Sequence, residues 1–139
     1  AAASFAIGSS WGTSALMFPI AIPMVATLID GPLPITPDAV KILFPVLGAI
    51  LSGAVCGDHI APISDTTIMS STSTNTPHID HVQTQLAYAI PMLIGTGIAF
   101  LIAGLMINYN IWIMLGVSVP TGIIISWSIL SFLNAQAHK

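Results

Sequence analysis

The chain has 139 residues, of which 55% are hydrophobic and 5% charged, with two Lys/Arg, five Asp/Glu and a formal net charge of −3; its mean hydropathy is +0.93. A soluble domain carries about 25% charged residues, so this chain cannot cover its own surface in water, and the lipid bilayer is its expected solvent and partner. Lys41 and Lys139 are its only basic residues, which excludes a cationic face for nucleic acid; the single Cys56 excludes an internal disulfide and reads as small packing in an apolar span.

The chain opens Ala1-Ala2-Ala3-Ser4-Phe5, without Met, a basic leader or a cleavage site followed by a polar mature domain. This predicts the tail of a longer polypeptide. Residues 1–29 are uncharged but interrupted at Gly8-Ser9-Ser10-Trp11-Gly12-Thr13, poor material for a helix interior. Either one helix unwinds there or two short arms form a re-entrant hairpin, which is tolerated where protein buries it. Pro19 and Pro23 add expected kinks.

Residues 30–41 form an expected polar loop, since Asp30 to Asp38 hold three prolines, a glycine and two carboxylates. Asp30, Asp38 and Lys41 read as solvated loop charges. Residues 42–76 are expected to form a broken helix. The apolar part, from Ile42, ends in Gly53-x-x-x-Gly57, which permits close helix contact, and Gly57 equally suits the position just past a helix end. From Asp58 to Thr76 hydroxyls crowd around two carboxylates. Residues 77–107 and 111–133 read as two ordinary spans, with apolar runs Leu86–Ile107 and Ile111–Leu133 joined as an antiparallel pair at Asn108-Tyr109-Asn110. The expected fold is all-α and polytopic. Two lysines are too few to set its orientation by charge bias.

The chemistry concentrates in Gly57-Asp58-His59-Ile60-Ala61-Pro62-Ile63-Ser64-Asp65-Thr66-Thr67. A helix ending at Gly57 and another starting near Pro62 would aim free carbonyls and free amides into one gap, the discontinuous helix with which transporters hold ions at mid-membrane. Asp58 and Asp65 bracket the break. A carboxylate at membrane depth costs several kcal/mol unless it is paired, protonated or bound to a cation. Poor solvation disfavours the charged form, so such a group passes between a protonated state and a cation-bound one. Proton and cation then compete for one site, the minimal chemistry of antiport. A hard cation such as sodium wants oxygen ligands, which Ser64, Thr66, Thr67 and the freed carbonyls supply. Sodium and protons are transported species here, and no cofactor is expected.

Each residue also has a plainer reading. Asp65, beside Ser64, suits a helix start as a cap; Asp58, near a helix C-terminus, is electrostatically misplaced for an anion and less easily explained. His59 is either a proton relay or a structural partner of Asp58. Ser9, Ser10 and Thr13 either contact the ion or satisfy freed backbone, with Trp11 an interfacial anchor. His78-Ile79-Asp80-His81 offers three potential metal ligands, and with Asp58 or His59 it supports a competing function, an intramembrane metal-dependent hydrolase. It equally suits the polar entry to a span.

The run from Gly57 to Thr67, followed by His78-Ile79-Asp80-His81-Val82-x-Thr84-Gln85-Leu86 and preceded by Ser10-Trp11-Gly12-Thr13, resembles the NhaC family of sodium/proton antiporters. The resemblance runs from Phe5 to Tyr88. It implies a multi-pass carrier of the bacterial inner membrane, of the ion-transporter superfamily, built from two inverted halves. This chain would be the C-terminal half, its N-terminal half the missing partner, inactive alone; the sequence leaves open whether it forms a homo-oligomer. The sequence departs from that pattern at Ile60, where Cys is common, at Ala61, where Ser is expected, and at Pro77, where Asn is frequent; Ala61 removes one possible oxygen ligand. Some members exchange malate and lactate, so solute exchange is the alternative to sodium/proton antiport. A third possibility is a truncated fragment without activity of its own.

Overall fold

The computed structural model describes residues 1–28 and 37–137. Among the described residues six helices follow in order: α1 (Ala2–Ile7), α2 (Ser10–Leu28), α3 (Pro37–Ile60), α4 (Asp65–Ser73), α5 (His78–Leu105) and α6 (Ile111–Ala137). Among the described residues there is no strand. Helices α2, α5 and α6 and the segment Ile42–Ile60 of α3 are long and apolar enough to cross a bilayer. The protein is an all-α, polytopic membrane protein. The chain divides into two compact units, Ala1–Thr84 and Gln85–Lys139.

Two helix breaks among the described residues of the first unit bear on the chemistry: one falls at the start of the interruption expected over residues 8–13, and the other lies later than the letters suggest. Gly8 caps α1 in the left-handed region, φ 70°, and α2 begins at Ser10, so Trp11, Gly12 and Thr13 are helical. Ser9 makes this possible. Its hydroxyl accepts from the Gly12 amide at 3.1 Å, and its carbonyl accepts the Thr13 amide at 3.1 Å and the Thr13 hydroxyl at 2.8 Å. A serine bonded to the amide three residues on is an N-terminal cap, so the hydroxyl-rich segment starts a helix rather than unwinding one.

The second break moves. Gly57 does not stop α3, which runs on to Ile60, and the next helix starts at Asp65 rather than near Pro62. Gly57 is needed where it is because α1 lies on it. A Cβ there would overlap the Ala1 carbonyl oxygen and sit 2.8 Å from Ser4 Cβ, and one on Gly53 would sit 3.0 Å from the Ala1 nitrogen. The Gly53-x-x-x-Gly57 face is therefore the seat of α1, with Ser4 Oγ donating to the Ala54 carbonyl at 2.5 Å. Residues 61–64 form the linker, turned by Ala61 N to Asp58 O at 3.1 Å and Ser64 N to Ala61 O at 3.2 Å.

Helix α4 ends in a Schellman turn. Asn75 takes the left-handed conformation, φ 52°, its amide donates to Thr72 O at 3.2 Å, and the Thr76 amide reaches Ser71 O at 3.0 Å. Pro77 follows, and α5 starts at once with His78, eight residues before the apolar run. The expected loop at 30–41 lies mostly outside the described residues, but its end is corrected: α3 already begins at Pro37, since proline suits the first helical position.

In the second unit α5 and α6 run antiparallel. A Cβ on Gly95 would overlap Ser126 Oγ and lie 2.7 Å from the Gly122 carbonyl oxygen, and one on Gly122 would lie 2.9 Å from Ala99 Cβ. Small residues thus let the backbones approach, as membrane helices require. The α5–α6 connection is capped by Asn110, whose Oδ1 accepts from the Trp112 amide at 3.0 Å. Helix α6 continues past Leu133 to Ala137.

Burial is inverted relative to a soluble domain. The buried set includes Ser4, Thr13, Ser14, Asp58, Ser64, Thr67, Ser71, Ser118 and Ser126, while Trp11 (86% exposed), Leu105 (83%) and Trp112 (78%) face outward. With lipid as solvent, apolar side chains gain nothing by turning inward, and polar groups must find partners within the protein.

Candidate functional site

Many hydroxyls in this chain close onto their own helix: Ser52 on Gly48 O, Thr72 on Ile68 O, Thr84 on Asp80 O, Ser128 on Ile124 O. That is the default for Ser and Thr in lipid. Ser64 and Thr67 depart from it and reach across the second helix break, and their departure marks the site.

Asp58 lies in the last turn of α3 and is 9% exposed. The Ser64 hydroxyl donates to its Oδ1 at 2.7 Å. Ser64 is the N-cap residue of α4, yet it makes no side-chain capping bond; its hydroxyl is given to the carboxylate instead. Thr66 Oγ1 lies 2.8 Å from Ser64 Oγ. With the one Ser64 proton given to Asp58, Thr66 is the donor in that contact. Thr67, 1% exposed, donates to the His59 carbonyl at 3.1 Å, tying the start of α4 to the end of α3. Asp58 thus sits between the negative end of one helix and the positive start of the next. Among the described side chains there is no Lys or Arg to neutralise it.

The expected residues do not all join this cluster. Asp58, Ser64, Thr66 and Thr67 do. Asp65 occupies the first turn of α4 and is exposed, so it favours the helix dipole without being the cap, a place Ser64 takes. His59 is exposed, and its carbonyl rather than its ring is the Thr67 acceptor. Ser9 and Thr13 are drawn into starting α2; Ser10 is half-buried beside them.

The two breaks touch. A Cβ on Gly8 would lie 2.7 Å from Ile63 Cγ1 and 3.2 Å from the Ile63 carbonyl, so the Gly8-Ser9 bend rests on the linker one residue before Ser64. Sequence reasoning missed Ser4, which bonds α1 to α3, because it reads as part of an apolar arm. Ser71 and His78 were also missed as partners; their link depends on the Schellman turn, whose signal was Asn75 followed by Pro77.

The residues of the metal reading do not converge. Both His78 ring nitrogens are engaged, with Ser71 and Pro62. His81 Nε2 is buried without a partner among the described residues, and Asp80 is exposed. No group of three or more His, Cys, Asp or Glu able to hold a metal occurs among the described residues.

A buried carboxyl group bonded to a hydroxyl at a helix break, beside a second break in a chain of membrane-crossing helices, is similar to the discontinuous helices with which secondary transporters hold ions. The chain matches the Na+/H+ antiporter family over residues 1–105 and belongs to it. It is 46% identical over 104 residues to an uncharacterised protein of Haemophilus influenzae, covering 75% of this chain and 18% of that one. It is 36% identical over 103 residues to the malate-2H+/Na+-lactate antiporter of Bacillus subtilis, covering 74% and 20%. It is 29% identical over 107 residues to an uncharacterised Na+/H+ antiporter of H. influenzae, covering 77% and 20%. The chain thus spans about a fifth of the length of these relatives. No solved structure matches it.

Proposed function

We propose that these residues form part of the cation and proton site of a sodium/proton antiporter of the bacterial inner membrane, with Asp58 as the group for which sodium and protons compete. One observation carries the reading: Asp58 is buried at a helix break and bonded to a neutral hydroxyl. Such a carboxylate is stabilised by a proton or by a small cation, and the oxygens of Ser64 and Thr66 add hard donors beside it. Asp65, on the exposed side of the same turn, is the second acidic contact, supplied to whatever packs over α4. The chain acts with the remainder of the carrier, which closes the site. The family and the antiporters among its relatives support this reading.

The test is sodium-driven proton movement, followed with a pH-sensitive dye in everted vesicles holding the native gene product that carries these residues. Sodium should dissipate the pH gradient, and Asp58→Asn at equal abundance should abolish the response. A normal response from Asp58→Asn rejects the assignment. A second reading, exchange of an organic acid coupled to sodium or protons, is favoured by the B. subtilis relative; the same vesicles answering malate or lactate but not sodium alone would establish it.

A further inference from the structure

We propose that His78 is a positioning residue of this site, holding the linker that presents Ser64 to Asp58; the inference rests on the function proposed above. The His78 ring bridges two elements that the sequence separates. Its Nε2 lies 2.7 Å from the carbonyl oxygen of Pro62, 16 residues away. A carbonyl only accepts, so Nε2 carries the hydrogen. Its Nδ1 lies 3.0 Å from the hydroxyl of Ser71, which is 2% exposed. Nδ1 is therefore the acceptor in the neutral ring, and the Ser71 proton goes either to it or to the Ile68 carbonyl at 2.9 Å.

Pro62 needs such a partner. It stands half-buried in the gap between α3 and α4, where no helix continues to satisfy its carbonyl. The linker's own main-chain bonds, Ala61 to Asp58 and Ser64 to Ala61, are local. The His78 bond is a long-range tie on the carbonyl two residues before Ser64. The Schellman turn at Asn75 and Thr76 makes it reachable by folding the first residue of α5 back onto α4. Asp80 and His81, which share the motif, take no part in the bridge.

The side-chain amide of Gln places a donor near the position of Nε2, and that of Asn near Nδ1. In the native gene product, His78→Ala should raise the sodium concentration for half-maximal response by about tenfold, the loss of one hydrogen bond, with a smaller change in maximal rate. His78→Gln should return it to near the native value and His78→Asn should not. Hydrogen–deuterium exchange of the peptide covering 61–68, in purified protein, should rise in the Ala and Asn variants and stay native in Gln. Native half-saturation in His78→Ala, or no rescue by Gln, overturns the proposal while the antiport reading stands. A native protein that ignores sodium overturns the antiport reading, and native-like exchange in His78→Ala then overturns the tie itself.

Discussion

The hydroxyl of Ser64 donates to the carboxylate of Asp58 at 2.7 Å across the gap between α3 and α4, although Ser64 holds the N-cap position where such a hydroxyl ordinarily serves backbone amides. Helix-end stability is given up for a bond to a buried carboxyl group, and both residues are 9% exposed or less. Ser64→Ala should therefore weaken the site while leaving the fold. A hydrogen bond to a charged group contributes roughly 1.5–3 kcal/mol, so sodium half-saturation in vesicles should rise by about tenfold or more. Half-saturation unchanged within twofold would show that Ser64 is no ligand.

The two carboxylates should differ in severity. Asp58 is buried in the hydroxyl cluster, whereas Asp65 is exposed on the first turn of α4. Asp65→Asn should keep a measurable sodium response under conditions where Asp58→Asn has none. The reverse order, at equal membrane abundance, would move the centre of the site to Asp65.

Gly8 should not tolerate a side chain. Its φ of 70° costs any L-residue about 1–2 kcal/mol, and a Cβ there would press on Ile63 at 2.7 Å. Gly8→Ala should lower the melting temperature in detergent and raise sodium half-saturation together, because the collision falls one residue from Ser64. A stability loss with native transport would separate the two breaks functionally.

The second unit offers an internal control two residues apart. Gly95 meets Ser126 and Gly122, while a Cβ on Gly97 would meet nothing within 4 Å. Gly95→Ala should cost about 1–3 kcal/mol through overpacking and lower the melting temperature in detergent; Gly97→Ala should be neutral or slightly stabilising, since alanine is the better helix former. Equal effects would mean that the α5–α6 approach at Gly95 is not made.

Much of the architecture was legible beforehand, because it depends on composition and run length. The bilayer as solvent, the two spans of the C-terminal region and a helix break in the stretch between Gly57 and Asp65 follow from where charge and hydroxyls fall along the chain, and the Gly53-x-x-x-Gly57 spacing signalled a close helix contact. The boundaries were less legible. Gly57 suited either a close helix contact or a helix end, and it seats α1; the interruption expected over residues 8–13 is confined to Gly8-Ser9, with Gly12 and Thr13 inside the helix that Ser9 starts. A glycine or a serine carries the same letter in either role, and neighbours far along the chain choose between them.

By itself, then, the sequence determined the class of protein and its solvent, and it singled out the stretch proposed as the site, since these rest on sums over neighbouring residues and on short motifs. Only the tertiary structure decided which hydroxyls serve Asp58 and which merely close on their own helix, that Asp65 stands outside the cluster, and that Gly8 lies against Ile63 and His78 against Pro62. The reason is geometric. A hydrogen bond requires donor and acceptor within about 3 Å, and for groups 16 or more residues apart that distance is set by how the turns at Gly8, Ala61–Ser64 and Asn75 aim the helices between them.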